Sequence, residues 1–308
     1  MSEAQAVTEG SRYYIPEADS SERRIAIFIF LLGCCYLWLF RRFTMMDPDE
    51  GIILQGAQRI LNGQVLYRDF FSFLTPGSFY QTALVLRIFG NSIVVARTML
   101  VVVGALVSSI SYLLARRVCS RAVAISTAIL VIVATLPYRF VVLHNWDSTL
   151  WACLATYAGL RWFETGRPNW AFWTGMGGGL TFLFEQSKGA GVLLGVAICV
   201  GVVWLLQRPA KTVSTAGTLA LVAGIFIPIV ATFAYFASQH AVGPMVADLA
   251  WPFRHYSAAN KVFYGYQNWN DATRKMLFGS GSLLVRFITL WAVSPCFLIP
   301  AIPIISTG

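Results

Sequence analysis

Three carboxylates crowd into the six residues Met46-Asp47-Pro48-Asp49-Glu50-Gly51. Side chains of this type at this spacing can take a proton from a nucleophile, hold a divalent cation or cap a helix. The segment stands directly before an amphipathic stretch, so an Asp at the N-cap and a Glu in the first turn would satisfy free N–H groups and the positive end of the dipole. Capping needs only one of the three, which leaves the others for chemistry.

The elements that must position these residues are set by composition. Of 308 residues, 57% are hydrophobic and only 12% charged, and the mean hydropathy is +0.64, more apolar side chain than a soluble domain of this size buries. The net charge of +9 comes mostly from Lys and Arg at the ends of apolar runs, the place where they anchor membrane helices rather than bind nucleic acid. Six cysteines and three histidines show no metal-type spacing. A bilayer core of about 30 Å needs about 20 helical residues. Eight apolar runs approach that length: residues 24–43, 93–115, 121–138, 148–163, 169–185, 189–207, 213–237 and 282–305. The expected fold is an all-α polytopic transmembrane bundle of about eight spans, 24–308, behind a polar tail, 1–23. The long connection 44–92 holds two shorter segments. Glu50 to Leu61 places Ile52, Ile53, Ala57, Ile60 and Leu61 near one helical face, which predicts a helix lying along the membrane surface. Gly77 to Phe89, opened by Pro76, is too short to span and is expected to be juxtamembrane or re-entrant.

Orientation follows from the short connections. Arg116, Arg117 and Arg121, then Arg161 and Arg167, then Arg208 and Lys211 share one side with Arg23 and Arg24, and that side is expected to be the cytoplasm. Past the amino-terminal tail lie nine acidic residues, and all but Glu164 fall on the opposite side: Asp47, Asp49, Glu50, Asp69, Asp147, Glu185, Asp248 and Asp271. Carboxylates at a membrane boundary are costly unless solvated, paired or functional, so their convergence implies a polar cavity opening there. The plain alternative is that the outer loops are longer and hold more of every residue.

An ordered series extends from this cluster: Asp49-Glu50, Ala57, Arg59 to Gly63, Leu66-Tyr67-Arg68-Asp69-Phe70, Pro76-Gly77 with Tyr80, Phe89 to Ser92, Ala96-Arg97 and Tyr112 to Arg117. The series resembles the amino-terminal half of a GT-C membrane glycosyltransferase, of the family 39 protein mannosyltransferase and lipid A aminoarabinose transferase types. The likeness continues through His144-Asn145-Trp146-Asp147-Ser148 and through a glycine-rich helix, Gly175 and Gly177 to Gly179, that ends in Lys188-Gly189. The resemblance implies sugar transfer from a polyprenyl-phosphate donor to a lipid, glycan or protein acceptor, outside an inner (plasma) membrane and among its lipids. It implies no nucleic-acid partner and no cofactor.

Laid against that reaction, Asp49 is the candidate base, with Glu50 orienting it or binding the acceptor and Asp147 approaching from the next outer loop. Lys188, then Arg68 and Arg254, are candidates for the departing phosphate, and Asp47, Asp69, Tyr67 and His144 for contacts to substrate. The bland readings are a snorkelling Lys188, a surface ion pair Arg68–Asp69, and an interfacial aromatic belt around Trp251-Pro252-Phe253-Arg254-His255-Tyr256. Asp47 and Asp49 have an Asp-x-Asp spacing that suits magnesium or manganese, but the nearer relatives do not generally need a metal and none is expected. Some relatives carry a lysine where this chain has Thr75-Pro76-Gly77. Relatives are also usually longer, so the chain is expected to hold the amino-terminal catalytic module. A transporter or lipid flippase, or an inactive remnant, is the rival reading. A transporter predicts charge in mid-span and an internal repeat, and neither is evident.

Overall fold

Short polar caps set several of the helix starts in this chain, and a computed structural model describes the result for residues 20–42, 47–134, 137, 140–206, 214–259, 282–284 and 286. Ten helices follow in order: α1 (Ser20–Trp38), α2 (Pro48–Leu61), α3 (Gly77–Phe89), α4 (Ile93–Ala115), α5 (Arg121–Ala134), α6 (His144–Thr165), α7 (Pro168–Phe184), α8 (Gln186–Leu206), α9 (Thr215–Ser238) and α10 (Val242–Ala259). Asp47 caps α2 and Pro48 opens it; Ser92 caps α4; Gly166, in the left-handed conformation, ends α6. Among the described residues the one pairing of extended backbone is an isolated bridge between Leu66 and Phe70, and the all-α class holds. The chain divides into two units, Met1–Leu249 and Ala250–Gly308. The expected tail 1–23 lies outside the described residues up to residue 19.

Among the described residues three helices are long and apolar enough to cross a membrane: Ile93–Ala115, Gln186–Leu205 and Thr215–Ser238. The apolar helix α5 has 14 residues and rises about 21 Å, short of the hydrocarbon thickness. Glu22, Arg23 and Arg24 dilute α1, and Asp147, Arg161 and Glu164 dilute α6. Most of the expected span 282–305 lies outside the described residues. The two shorter segments of the first connection fold as α2 and α3, close to the bounds expected of them.

Long-range bonds fix how the helices run. Glu22 on α1 meets Tyr112 and Arg116 at the far end of α4 and Arg121 at the start of α5. Glu164 at the end of α6 meets Arg117 beyond α4. These contacts collect Arg116, Arg117, Arg121 and Arg161 at one end of the bundle, as the loop charges predict; Arg208 and Lys211 lie outside the described residues. At the other end stand the start of α4, α2, α3, the start of α6 and the junction of α7 with α8. Close packing of α7 on α9 depends on small residues. A Cβ at Gly175 or Gly224 would come within 2.1 or 2.2 Å of the carbonyl oxygen of Leu221 or Phe172, so only glycine permits this approach.

Candidate active site

Neighbours on a helix point about 100° apart, and at the start of α2 this separates the Asp-Glu pair. Asp47 accepts the Asp49 N–H at 2.9 Å and so aims the first turn. Glu50, Ile53 and Ala57 face the core, where Glu50 is 2% exposed. The Arg97 guanidinium donates to both Glu50 oxygens, Nε at 3.0 Å and a terminal nitrogen at 2.6 Å, and the Val142 N–H donates to the same carboxylate at 3.1 Å. Arg97 is itself buried, so the pair is a two-pronged bond between α2 and α4 that also holds the strand of chain leading into α6. Asp49 is left exposed on the opposite side.

The strand held by Glu50 delivers His144 and Asp147 at the first turn of α6, ahead of the apolar run that begins at Ser148. Asp147 is buried, accepting from Ser78 Oγ at 3.1 Å and Gln81 Nε2 at 2.8 Å, both on α3. Burial pushes its carboxyl up to about 6, against the pull of those two donors. The His144 ring is partly buried and its Nδ1 has no hydrogen-bond partner. Burial lowers its proton affinity, and three charges act on it from neighbouring elements: Glu185 and Asp49, which raise it, and Lys188, which lowers it.

Lys188, one turn into α8, is engaged on every side. Its Nζ donates to Asn145 O at 3.1 Å, Ser148 Oγ at 2.8 Å and Thr149 Oγ1 at 3.0 Å, and lies 2.9 Å from Glu185 Oε2. Ser148 Oγ donates to Glu185 at 2.7 Å. Burial raises the Glu185 carboxyl, but the bonds from Lys188 and Ser148 outweigh it and hold the group below its usual range. Asp49, His144, Glu185 and Lys188 therefore form one electrostatic set drawn from α2, α6 and the α7–α8 junction. Asp147 stands beside it, turned toward α3.

The remaining expected site residues of the first unit are engaged within its loop 65–74. Asp69 folds its own loop, accepting the Val65 N–H at 2.7 Å and pairing with Arg68 at 2.9 Å; Arg68 and then that N–H hold its carboxyl at about 2. Arg68 also donates to Gln239 O at 3.2 Å. Tyr67 is buried with φ +69° and its hydroxyl donates to Leu74 O at 2.8 Å, bracing the same loop. Arg254 is exposed on α10 within the second unit, where Trp251 and His255 stack with ring centroids 5.0 Å apart. Arg97 and Glu185 are the site residues that reading the sequence for roles passes over. Arg97 had a signal, since a charge five residues into an apolar run must face a partner.

Two cavities flank this end of the first unit. One, of about 270 Å³, is lined by Ile52, Gln55, Gly56, Arg59, Phe70 and Phe79 among others. Ile52, Gly56 and Arg59 continue at helical spacing the face of α2 that begins at Asp49. The second is an apolar groove of about 310 Å³ between α3, the end of α7 and α9, lined by Pro76, Gly77, Tyr80, Leu183, Thr232 and Tyr235 among others.

A family model described as dolichyl-phosphate-mannose-protein mannosyltransferase matches residues 74–236, more than half of the chain. No curated protein and no solved structure gives a match. The matched stretch runs from the turn before α3 nearly to the end of α9 and includes Arg97, His144, Asp147, Glu185 and Lys188; α2 with Asp49 and Glu50 precedes it. With apolar helices long enough to cross a membrane and this match over the helices that build the site, the chain belongs to the dolichyl-phosphate-mannose-protein mannosyltransferase family and is an integral membrane glycosyltransferase of the GT-C type.

Proposed function

We propose that the protein moves a sugar from a polyprenyl-phosphate donor to an acceptor hydroxyl on the extracytoplasmic face of the plasma membrane, its amino terminus in the cytoplasm, with Asp49 as base. The reading rests on one observation: of two adjacent carboxylates, Glu50 is neutralised by Arg97 in the core while Asp49 stays exposed, within electrostatic reach of His144. An alcohol is a weak nucleophile at neutral pH, and a carboxylate that removes its proton as it attacks speeds the step about 10²–10⁴-fold. The acceptor oxygen bonds to the anomeric carbon, the bond from that carbon to the phosphate oxygen breaks, the electron pair leaves with the polyprenyl phosphate, and the acceptor proton ends on Asp49. Lys188 takes the growing charge on the phosphate. Glu50 acts through position, holding α2 against α4 and the entry to α6. Tyr67, Arg68 and Asp69 brace the loop beneath the acceptor side.

The two cavities suit the two substrates. The groove beside α3 and α9 is open and mostly apolar, which fits a polyprenyl chain, while the cavity on the Asp49 face of α2 combines aromatic walls with Gln55 and Arg59 and fits the acceptor. Transfer of radiolabelled sugar from a polyprenyl-phosphate donor by the membrane-reconstituted protein tests the assignment. Asp49→Asn is expected to lower transfer by about 10²–10⁴-fold with insertion and melting temperature unchanged. Transfer at the wild-type rate removes Asp49 from the mechanism.

A further inference from the structure

We propose that Glu185 keeps the donor-phosphate site filled when no donor is present: its carboxylate occupies the oxyanion position made by Lys188 Nζ and the Ser148 and Ser187 hydroxyls, and the arriving phosphate displaces it. The proposal rests on the reading of Lys188 as the phosphate-binding cation. The position is built for an anion. Glu185 Oε2 lies 2.9 Å from Lys188 Nζ and accepts from Ser148 Oγ at 2.7 Å, and Oε1 accepts from Ser187 Oγ at 3.4 Å. Asn145 O and Thr149 Oγ1 hold the ammonium from its other side, so the cation is fixed and only its anion is exchangeable.

The physical need for such a stand-in is plain. Lys188 begins an apolar helix long enough to span the membrane, and its side chain is 30% exposed; a partly desolvated ammonium without a counter-charge is costly there. Glu185 supplies that charge three residues away. The donor's phosphodiester brings the same single charge on two free oxygens, and burial of its polyprenyl chain adds what the carboxylate lacks; the departing polyprenyl phosphate, a monoester, gains a second charge on the same donors, so the phosphate wins the exchange. The displaced carboxylate has a place to go. The Glu185 backbone is held at the α7–α8 junction, its N–H on Thr181 O and its carbonyl on the Gly189 N–H, so only the side chain needs to turn. His144 lies within its electrostatic reach and offers a buried Nδ1 without a partner; with its proton on Nδ1 the ring can donate to Glu185.

An internal competitor reduces apparent affinity to the fraction of molecules in which it leaves the site free. Removing it therefore tightens donor binding rather than weakening it. The test measures KM for the donor, kcat, and binding of a short-chain polyprenyl phosphate without sugar to the full-length protein in lipid nanodiscs. Glu185→Gln and Glu185→Ala, the second of which adds no new amide donor, are both expected to tighten polyprenyl-phosphate binding and lower the donor KM on the order of tenfold, with kcat within about twofold. Lys188→Met is expected to abolish that binding. If Lys188→Met loses binding but neither Glu185 variant tightens it, the exchange is overturned and the phosphate role of Lys188 stands. A fall in kcat at unchanged KM in both Glu185 variants also overturns it, by making the carboxylate part of the chemistry. Wild-type binding by Lys188→Met overturns the phosphate assignment itself, and the exchange with it.

Discussion

The two ends of the bundle treat carboxylates in opposite ways. At the arginine-rich end, Glu22 is met by Tyr112, Arg116 and Arg121, and Glu164 by Arg117 at 2.6 Å and Arg161 at 3.0 Å. At the other end Asp147 has only a hydroxyl and an amide, Glu185 one lysine and two hydroxyls, and Asp248 accepts a backbone N–H from Ser72 at 3.0 Å. Two carboxylates there do have arginine: Glu50, with Arg97 in the core, and Asp69, with the exposed Arg68 inside one loop. Arginine with its fixed fork neutralises a carboxylate for good, whereas hydroxyls, amides and a single ammonium leave it free to exchange partners or protons. One end is thus built to hold helices together, and the other keeps acids available, with one arginine spent on fixing the element that carries the base.

That contrast breaks first, and most severely, at the buried one of these pairs. Arg97→Met leaves the Glu50 carboxylate buried without a counter-charge, and breaking a buried pair in this way costs about 3–5 kcal/mol. The expected result is a large drop in melting temperature of the purified protein and loss of transfer together, because α2 loses its hold on α4 and on the Val142 strand. The double variant Arg97→Met with Glu50→Leu removes both charges and is expected to recover much of the stability. Stability unaffected by the single change would show that the pair is dispensable and that this end holds its helices by other contacts.

Acid and base titration sharpen the comparison with a sign. Burial pushes the Glu22 carboxyl up, but the bonds from Tyr112, Arg121 and Arg116 prevail and hold it at about 2 against an ordinary 4.5. Folding releases its proton, so its contribution is full above pH 4.5 and is lost as pH falls through about 2. Asp147 goes the other way, at about 6 against an ordinary 3.8, because burial dominates. Folding retains its proton, so its contribution is full below pH 3.8 and is lost as pH rises through about 6. A difference of about two pKa units corresponds to about 3 kcal/mol at most. Melting temperature against pH is expected to fall between about pH 4 and about pH 7 in the parent and to flatten there in Asp147→Asn, whereas Glu22→Gln flattens only the acid limb. The same slope in both variants would erase the distinction between the ends.

How much of this was legible depends on the range of the interaction. The start of α3 is readable from Pro76, and that of α2 to within two residues, since the spacing begins it at Glu50 and the cap is Asp47; the loop charges alone group Arg116, Arg117, Arg121 and Arg161. The face of α2 was half readable. Ile53 and Ala57 are buried as their spacing implies, but Ile52, assigned to the same face, is 46% exposed, because the buried stripe is centred on Glu50 rather than on the apolar residues alone. An apolar count cannot find a stripe that starts with a charge. The partner of that charge, Arg97, sits 47 residues away, and nothing local names it. Glu185 and Lys188 are three apart and their pairing was available from sequence; what was not available is that α6 brings Ser148, Asn145 and Thr149 to the same ammonium. Helix starts inside the bundle are local as well: the expected run 169–185 returns as α7 (Pro168–Phe184), because Pro168 opens it.

The mildest perturbation tests the weakest cation on the carboxylate side. Arg68 was grouped with Lys188 for the departing phosphate, but its side chain is 40% exposed and its nitrogens are directed to Asp69 and to Gln239 O. An exposed pair between adjacent residues contributes little, because solvent screens it and holding two long side chains in one geometry has an entropic cost. Arg68→Gln is therefore expected to leave the melting temperature unchanged and to keep transfer within about twofold of the parent, and Asp69→Asn to do more, because Asp69 also holds the Val65 N–H that closes the loop. The order of the two is the informative part. If Arg68→Gln raises the donor KM well beyond that of Asp69→Asn, the guanidinium reaches the phosphate during turnover, and the carboxylate end contains a second working cation instead of Lys188 alone.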